Sequence, residues 1–118
     1  MHTRLGVFLA LAVVSLSACS HDLQLALPAG EPVRVFQLGR TGEHTLTPQS
    51  EQYRKLASWV ENNRSGWSQY YATPPAKGIM VRAANLNLQF VESAALAHTP
   101  KGVFTKDVSP TDYAFLYQ

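Results

Sequence analysis

Few residues in this chain of 118 have the types and spacing that chemistry at a site requires. His21, His44 and His98 are not followed, two to four residues later, by a second histidine, cysteine or carboxylate, whereas a zinc site needs three or four converging ligands. The eight Asp and Glu residues are scattered singly, and neither a G-x-S-x-G elbow nor a phosphate-binding glycine loop occurs. We therefore predict surface histidines, no metal, no cofactor and no enzymatic activity.

Aromatic residues form the most distinctive local cluster, which consists of Trp59, Trp67, Tyr70 and Tyr71. Tryptophan and tyrosine combine a large contact area with a polar tip, so Trp67, Tyr70 and Tyr71 could form a binding surface for a glycan or a protein. In a strand, Trp67 and Tyr71 would share one face and Tyr70 would lie on the other. At least part of the cluster would then pack in the core, and we favour this interpretation over the binding surface.

The N-terminus has the layout of an export signal. His2 and Arg4 precede an apolar run, residues 5–16, that only Ser15 interrupts. A positive start followed by about 7–15 apolar residues is typical of a secretory signal peptide, whereas a membrane-spanning helix needs about 20.

Shortly after this run comes Cys19, the only cysteine of the chain, so an intramolecular disulfide is excluded. Leu16-Ser17-Ala18-Cys19 resembles the lipobox of bacterial lipoproteins, and the resemblance covers residues 1–19 only. It implies removal of residues 1–18 by cleavage between Ala18 and Cys19, a diacylglyceryl group on the Cys19 thiol and an acyl group such as palmitate on its new amine. Ordinary secretory cleavage after Ala18 is less suitable, because Leu16 would stand where a small residue is preferred.

The resemblance also implies a location. An acyl anchor of two or more chains binds a bilayer stably. Ser20 follows the cysteine, where Asp retains members of this family in the inner membrane, so Ser20 resembles the outer-membrane class. We therefore predict a protein held by its lipid on the periplasmic side of the outer membrane.

Residues 19–32 contain Pro28, Gly30 and Pro32, a spacing that does not suit a helix, and we interpret them as a lipidated tether. The remaining residues, 33–118, are long enough for one compact domain. Thr47 and Pro48 are suited to begin a helix, and an apolar stripe at helical spacing follows, which predicts an amphipathic helix over about 48–63.

Alternating segments on either side of this helix predict strands at 33–38, 67–71, 79–83, 86–90 and 103–108. The alternation changes phase at Ala84-Asn85, which indicates a tight turn or a bulge, and we favour the turn. Residues 94–97 stay ambiguous between helix and strand, and Ser109-Pro110 predicts a closing helical turn. The expected fold is α+β, with one helix packed on a small antiparallel sheet of four to five short strands.

The composition restricts the partners. A net charge of +2 with 15% charged residues does not favour nucleic-acid binding, and Arg82 is expected to be a solvated charge. We predict a non-catalytic binding or structural role in the cell envelope, with an envelope protein or peptidoglycan as partner. The alternatives are an inhibitor or immunity protein against an envelope hydrolase or toxin and, less favoured, an enzyme acting on envelope polymers.

Overall fold

A computed structural model describes residues 20–117. The predicted signal peptide, residues 1–18, and Cys19 lie outside these residues. The described part is α+β and is dominated by one antiparallel sheet of seven strands in the order β2-β1-β4-β5-β6-β7-β3. The strands are β1 (Val33–Gln37), β2 (Glu43–Leu46), β3 (Ser68–Tyr70), β4 (Ile79–Ala83), β5 (Leu86–Val91), β6 (Ala94–Thr99) and β7 (Gly102–Asp107). The predicted α+β class with an antiparallel sheet is confirmed, but four to five strands was too few.

The two strands that the sequence did not predict are β2 and β6. β2 is a polar edge strand in which only Leu46 is buried, so its sequence has no apolar alternation. β6 is rich in alanine, which has a low strand propensity, yet it lies near the middle of the sheet and buries Ala95, Leu96 and Ala97. Pairing with β5 and β7 on its two sides determines its conformation.

The amphipathic helix α1 (Glu51–Asn62) begins three residues after the predicted start at Pro48. Ser50, rather than Thr47, is the N-cap, and its Oγ accepts a hydrogen bond of 3.1 Å from the amide of Tyr53. The same Oγ donates to the Thr47 carbonyl at 2.9 Å, so the residues before Ser50 form a turn that leads into the helix. The predicted apolar stripe is confirmed, because Tyr53, Leu56 and Val60 are buried.

The phase change at Ala84-Asn85 is a two-residue turn between β4 and β5, as favoured from the sequence. The two strands pair in antiparallel register, with Val81 opposite Leu88 and Ala83 opposite Leu86. The turn therefore brings the odd-numbered apolar residues of β4 and the even-numbered ones of β5 to the same face of the sheet.

This inner face carries the main core. It packs against α1, Trp67, the N-terminal segment and the C-terminal turns α2 (Pro110–Tyr113) and a 3-10 helix (Ala114–Tyr117). The predicted closing turn is present: the Ser109 amide donates to Asp112 Oδ2 at 3.0 Å, and the ring of Tyr113 stacks on Phe90 at 5.0 Å. Among residues 20–117, no helix is both long and apolar enough to cross a bilayer.

The segment interpreted as a tether is packed on the domain from His21 onward. The amide of His21 donates to the Trp67 carbonyl at 2.7 Å, and the amide of Trp67 donates back to the His21 carbonyl at 3.1 Å. Further along, Leu25 is only 6% exposed, and the Tyr53 hydroxyl donates to the carbonyl of Pro28 at 3.0 Å. The packed part of the chain therefore extends N-terminally beyond the expected domain start at Val33.

Candidate binding surfaces

The aromatic cluster is divided between core and surface. Trp67 is 0% exposed, its indole Nε1 donates to the Asn63 carbonyl at 2.6 Å, and its ring meets Trp59 edge to face at 6.3 Å. Trp67 therefore belongs to the core, as the interpretation favoured from the sequence expected, and the alternative that places it in a binding surface is wrong. Tyr70, at the end of β3, is half-buried. Tyr71 is 86% exposed, so it is the member of the cluster that is available to a partner.

Tyr71 begins a loop, residues 71–78, that crosses the outer face of the sheet, opposite α1. Beneath the loop, a second group of apolar side chains is buried apart from the main core; its members are Met80, Val91 and Leu96. At the end of the loop, Lys77 pairs with the carboxylate of Glu92. The hydrogen bond from Lys77, and then its charge, lower the pKa of the Glu92 carboxyl. The loop is thus part of the fold and holds Tyr71 at its start.

Gln89 is the buried polar residue that fixes this loop. It lies in β5, is 2% exposed, and its amide nitrogen donates to the carbonyls of Pro75 at 2.6 Å and Lys77 at 2.9 Å. Two carbonyl acceptors require the nitrogen at that position, so the orientation of the amide is determined by its partners. Its oxygen, Oε1, then accepts a hydrogen bond of 3.0 Å from His98 Nε2. A buried amide satisfied on both sides stabilises the loop conformation.

His98 is thereby fixed in one tautomer. Because the Gln89 oxygen can only accept, Nε2 of His98 carries the proton, and in the neutral ring Nδ1 is an acceptor. Burial lowers the pKa of His98 below its ordinary value, and the positive charge of Arg82 lowers it further. The neutral form of His98 is therefore favoured at neutral pH.

Next to His98 lies a shallow pocket of about 430 Å³ with a basic rim. Arg34 on β1 and Arg82 on β4 are directly opposite each other in the strand register, and both are exposed. The floor includes Asn87, whose side-chain oxygen is buried and has no hydrogen-bond partner. Arg82 is exposed, as expected from the sequence, but its position beside Arg34 depends on the pairing of β1 with β4, which local sequence patterns do not predict.

The other two histidines do not line this pocket, although His21 lines an adjoining one together with Asn87 and His98. The ring of His21 contacts Phe104 edge to face at 5.4 Å between centroids. His44, on β2, is half-buried with Nε2 inaccessible and without a partner, rather than at the surface as predicted. Within residues 20–117, no group of three or more His, Cys, Asp or Glu side chains is arranged to hold a metal ion.

Comparison of the chain with protein-family models, with curated proteins and with solved structures finds no match. Any function must therefore be inferred from the residues themselves: the N-terminal sequence that resembles a lipobox, the exposed Tyr71 and the basic pocket on the outer face of the sheet.

Proposed function

We propose that the protein is a small lipid-anchored component of the bacterial cell envelope that acts by binding, without catalysis, on the periplasmic side of the outer membrane. The observation that carries this proposal is the order of charged start, apolar run and lipobox in residues 1–19, which ends at Cys19. Acylation of this cysteine would supply an anchor of two or more chains, which is sufficient for stable membrane attachment.

The structure supports the proposal by giving such an anchor a defined relation to the fold. His21 is bound to Trp67 by two backbone hydrogen bonds, and Cys19 precedes it by only two residues. Two extended residues span at most about 7 Å. A lipid on Cys19 would therefore hold the β3 edge of the sheet close to the bilayer instead of leaving the domain on a long tether.

The opposite edge of the sheet would then extend away from the membrane. Six strand-to-strand steps separate β3 from β2. At about 4.8 Å a step, the β2 edge lies roughly 29 Å from the β3 edge. Residues between these edges would face the periplasm, where an envelope protein or peptidoglycan could contact them.

Metabolic labelling with a radioactive or clickable fatty acid tests the proposal in the full chain. Wild type is expected to incorporate the label and to be shortened by residues 1–18. Cys19→Ser is expected to lose the label because serine has no thiol to acylate. This variant is also expected to keep the signal peptide, whose apolar run could itself hold the chain at the membrane. The mass of the protein must therefore be measured in addition to its membrane association.

Ser17→Ala is the matched control. It changes the neighbouring lipobox position but keeps a small residue there, so labelling and cleavage are expected to continue as in wild type. An unlabelled wild-type protein, or label retained in Cys19→Ser, would contradict the anchor at this residue.

A further inference from the structure

The pocket beside His98 contains an arrangement of charge that does not serve the stability of the fold. Arg34 and Arg82 are opposite each other on neighbouring antiparallel strands. Like charges in this relation destabilise a sheet, whereas opposite charges stabilise it. A pair of arginines at directly opposed positions therefore indicates a use for concentrated positive charge.

The surrounding residues neutralise this charge only in part, through one long ion pair. The carboxylate nearest to Arg34 belongs to Glu43, and the distance of 4.0 Å from Nη1 to Oε2 is too long for a hydrogen bond. The guanidinium of Arg82 lies 5.2 Å from the centre of the Phe36 ring, and within the described residues it forms no ion pair with a carboxylate. The cation–π contact orients Arg82 but leaves its N–H groups available to an anion.

The floor of the pocket adds polar groups. The side-chain oxygen of Asn87 is buried and lies out of a ligand's reach, so Asn87 serves here as a reporter of the floor and not as an acceptor. His98 uses Nε2 to bind Gln89, so Nδ1 is the ring nitrogen left over, and it accepts in the neutral form. Both residues line the same pocket of about 430 Å³ as the two arginines.

We propose that this pocket binds an oxyanion, a carboxylate or a phosphate, that carries a hydrogen-bond donor on a neighbouring atom. The two guanidinium groups would bind the oxyanion through charge-assisted and bidentate hydrogen bonds. A neighbouring N–H or O–H group would donate to Nδ1 of His98. Peptides ending in a free carboxylate and glycerol phosphates both have this chemistry.

NMR titration of the full-length protein in nonionic detergent tests the site, because it reports the arginine side-chain N–H groups and the Asn87 amide separately. The probes are N-acetylalanine, a carboxylate beside an N–H, and glycerol 3-phosphate, a phosphate near hydroxyl groups. Acetate, which lacks the donor, is the comparison ligand. We expect at least one of the two probes to bind with a Kd in the millimolar range or below, more tightly than acetate, and to shift the signals of Arg34, Arg82 and Asn87.

Arg82→Gln removes one charge from the rim and is expected to weaken binding about tenfold or more. Arg54→Gln, an exposed arginine on α1, is the matched control and is expected to bind as wild type does. The thermal midpoint of Arg82→Gln checks folding and is expected to be close to that of wild type, because the change also removes the repulsion from Arg34.

Three results would overturn the proposal: neither probe binds, acetate binds as tightly as both probes, or Arg82→Gln binds as wild type does. If only one of the two probes binds, the oxyanion is identified as a carboxylate or as a phosphate and the site is supported. Binding of the probes does not depend on the lipid at Cys19. A negative result would therefore overturn the proposed pocket without contradicting the proposed anchor.

Discussion

Gly78 ends the loop that crosses the outer face, and replacing it with alanine should destabilise the fold through a steric clash that can be isolated. Its backbone φ is +97°, and an added Cβ would lie 2.3 Å from the carbonyl oxygen of Phe90 and 3.0 Å from Cβ of Val91. Both contacts involve strand β5, and the Gly78 carbonyl accepts a hydrogen bond of 2.9 Å from the Leu38 amide. Gly78 is held by its hydrogen bond with Leu38, and Phe90 is held in strand β5, so neither backbone can move freely to relieve the clash.

Two costs add up in Gly78→Ala. Placing a side chain at a positive φ costs about 1–2 kcal/mol. Inserting a methyl group where packing has no space costs about a further 1–3 kcal/mol, because backbone has to shift. We expect the free energy of unfolding to fall by about 2–5 kcal/mol, which is a large part of the stability of a domain of this size.

Gly42 provides a matched control. Its φ is +95°, almost the same as at Gly78, but nothing lies within 4 Å of an added Cβ. Gly42→Ala therefore carries the conformational cost alone, and urea unfolding of both variants should separate the two contributions at an unchanged m-value. Equal destabilisation by the two substitutions would refute the claim that close approach to Phe90 requires glycine at position 78.

Two further predictions concern pH and orientation. Burial and the charge of Arg82 lower the pKa of His98 below the ordinary 6.5. As the pH falls, the unfolded chain therefore binds a proton at His98 before the folded chain does. The stability that neutral His98 contributes is present above about pH 6.5 and is lost as the pH falls through the lowered pKa. Urea midpoints at pH 7.5 and 5.0 should therefore fall more in wild type than in His98→Gln, and equal falls would contradict the assignment. In vesicles whose lipid headgroups carry a quencher, a fluorophore on Ser68→Cys in β3 should be quenched more strongly than one on Thr45→Cys in β2, because six strand steps separate these edges. Similar quenching at both positions would mean that the anchored domain has no fixed orientation.

The elements that the sequence predicted correctly are those whose local pattern agrees with their final environment. In α1 the apolar residues recur at helical spacing and one face is buried, and in β4 and β5 the alternation matches burial on the inner face. β6 was ambiguous because its alanines favour helix locally, and only its two neighbouring strands make it a strand. The start of α1 was misplaced because Thr47 and Ser50 are both good caps, and tertiary packing selects the second.

The candidate sites were harder to predict because each depends on residues that are distant in the chain. Arg34 and Arg82 are 48 positions apart in sequence and meet only through the pairing of β1 with β4. Gln89 has an unremarkable sequence context, and its role arises because the loop places two carbonyls above it. Trp67 and Tyr71 would share one face of a single strand, yet Trp67 is buried where its backbone pairs with His21, while β3 ends at Tyr70 and Tyr71 is exposed at the start of the loop.

The inner face of the sheet carries the main core, whereas the outer face carries the pocket that we propose as a binding site. The inner face is covered by α1, by the N-terminal segment and by the C-terminal turns, so most of its apolar side chains are buried in the core. The outer face is covered only in part, and its basic pocket extends from β1 to β6. With β3 held at the bilayer, β6 lies two strand steps and β1 five steps from that edge, or roughly 10 and 24 Å. A lipid on Cys19 would therefore keep the pocket close to the membrane surface but open to anionic groups in the periplasm, which is the arrangement that a short-range envelope binding protein requires.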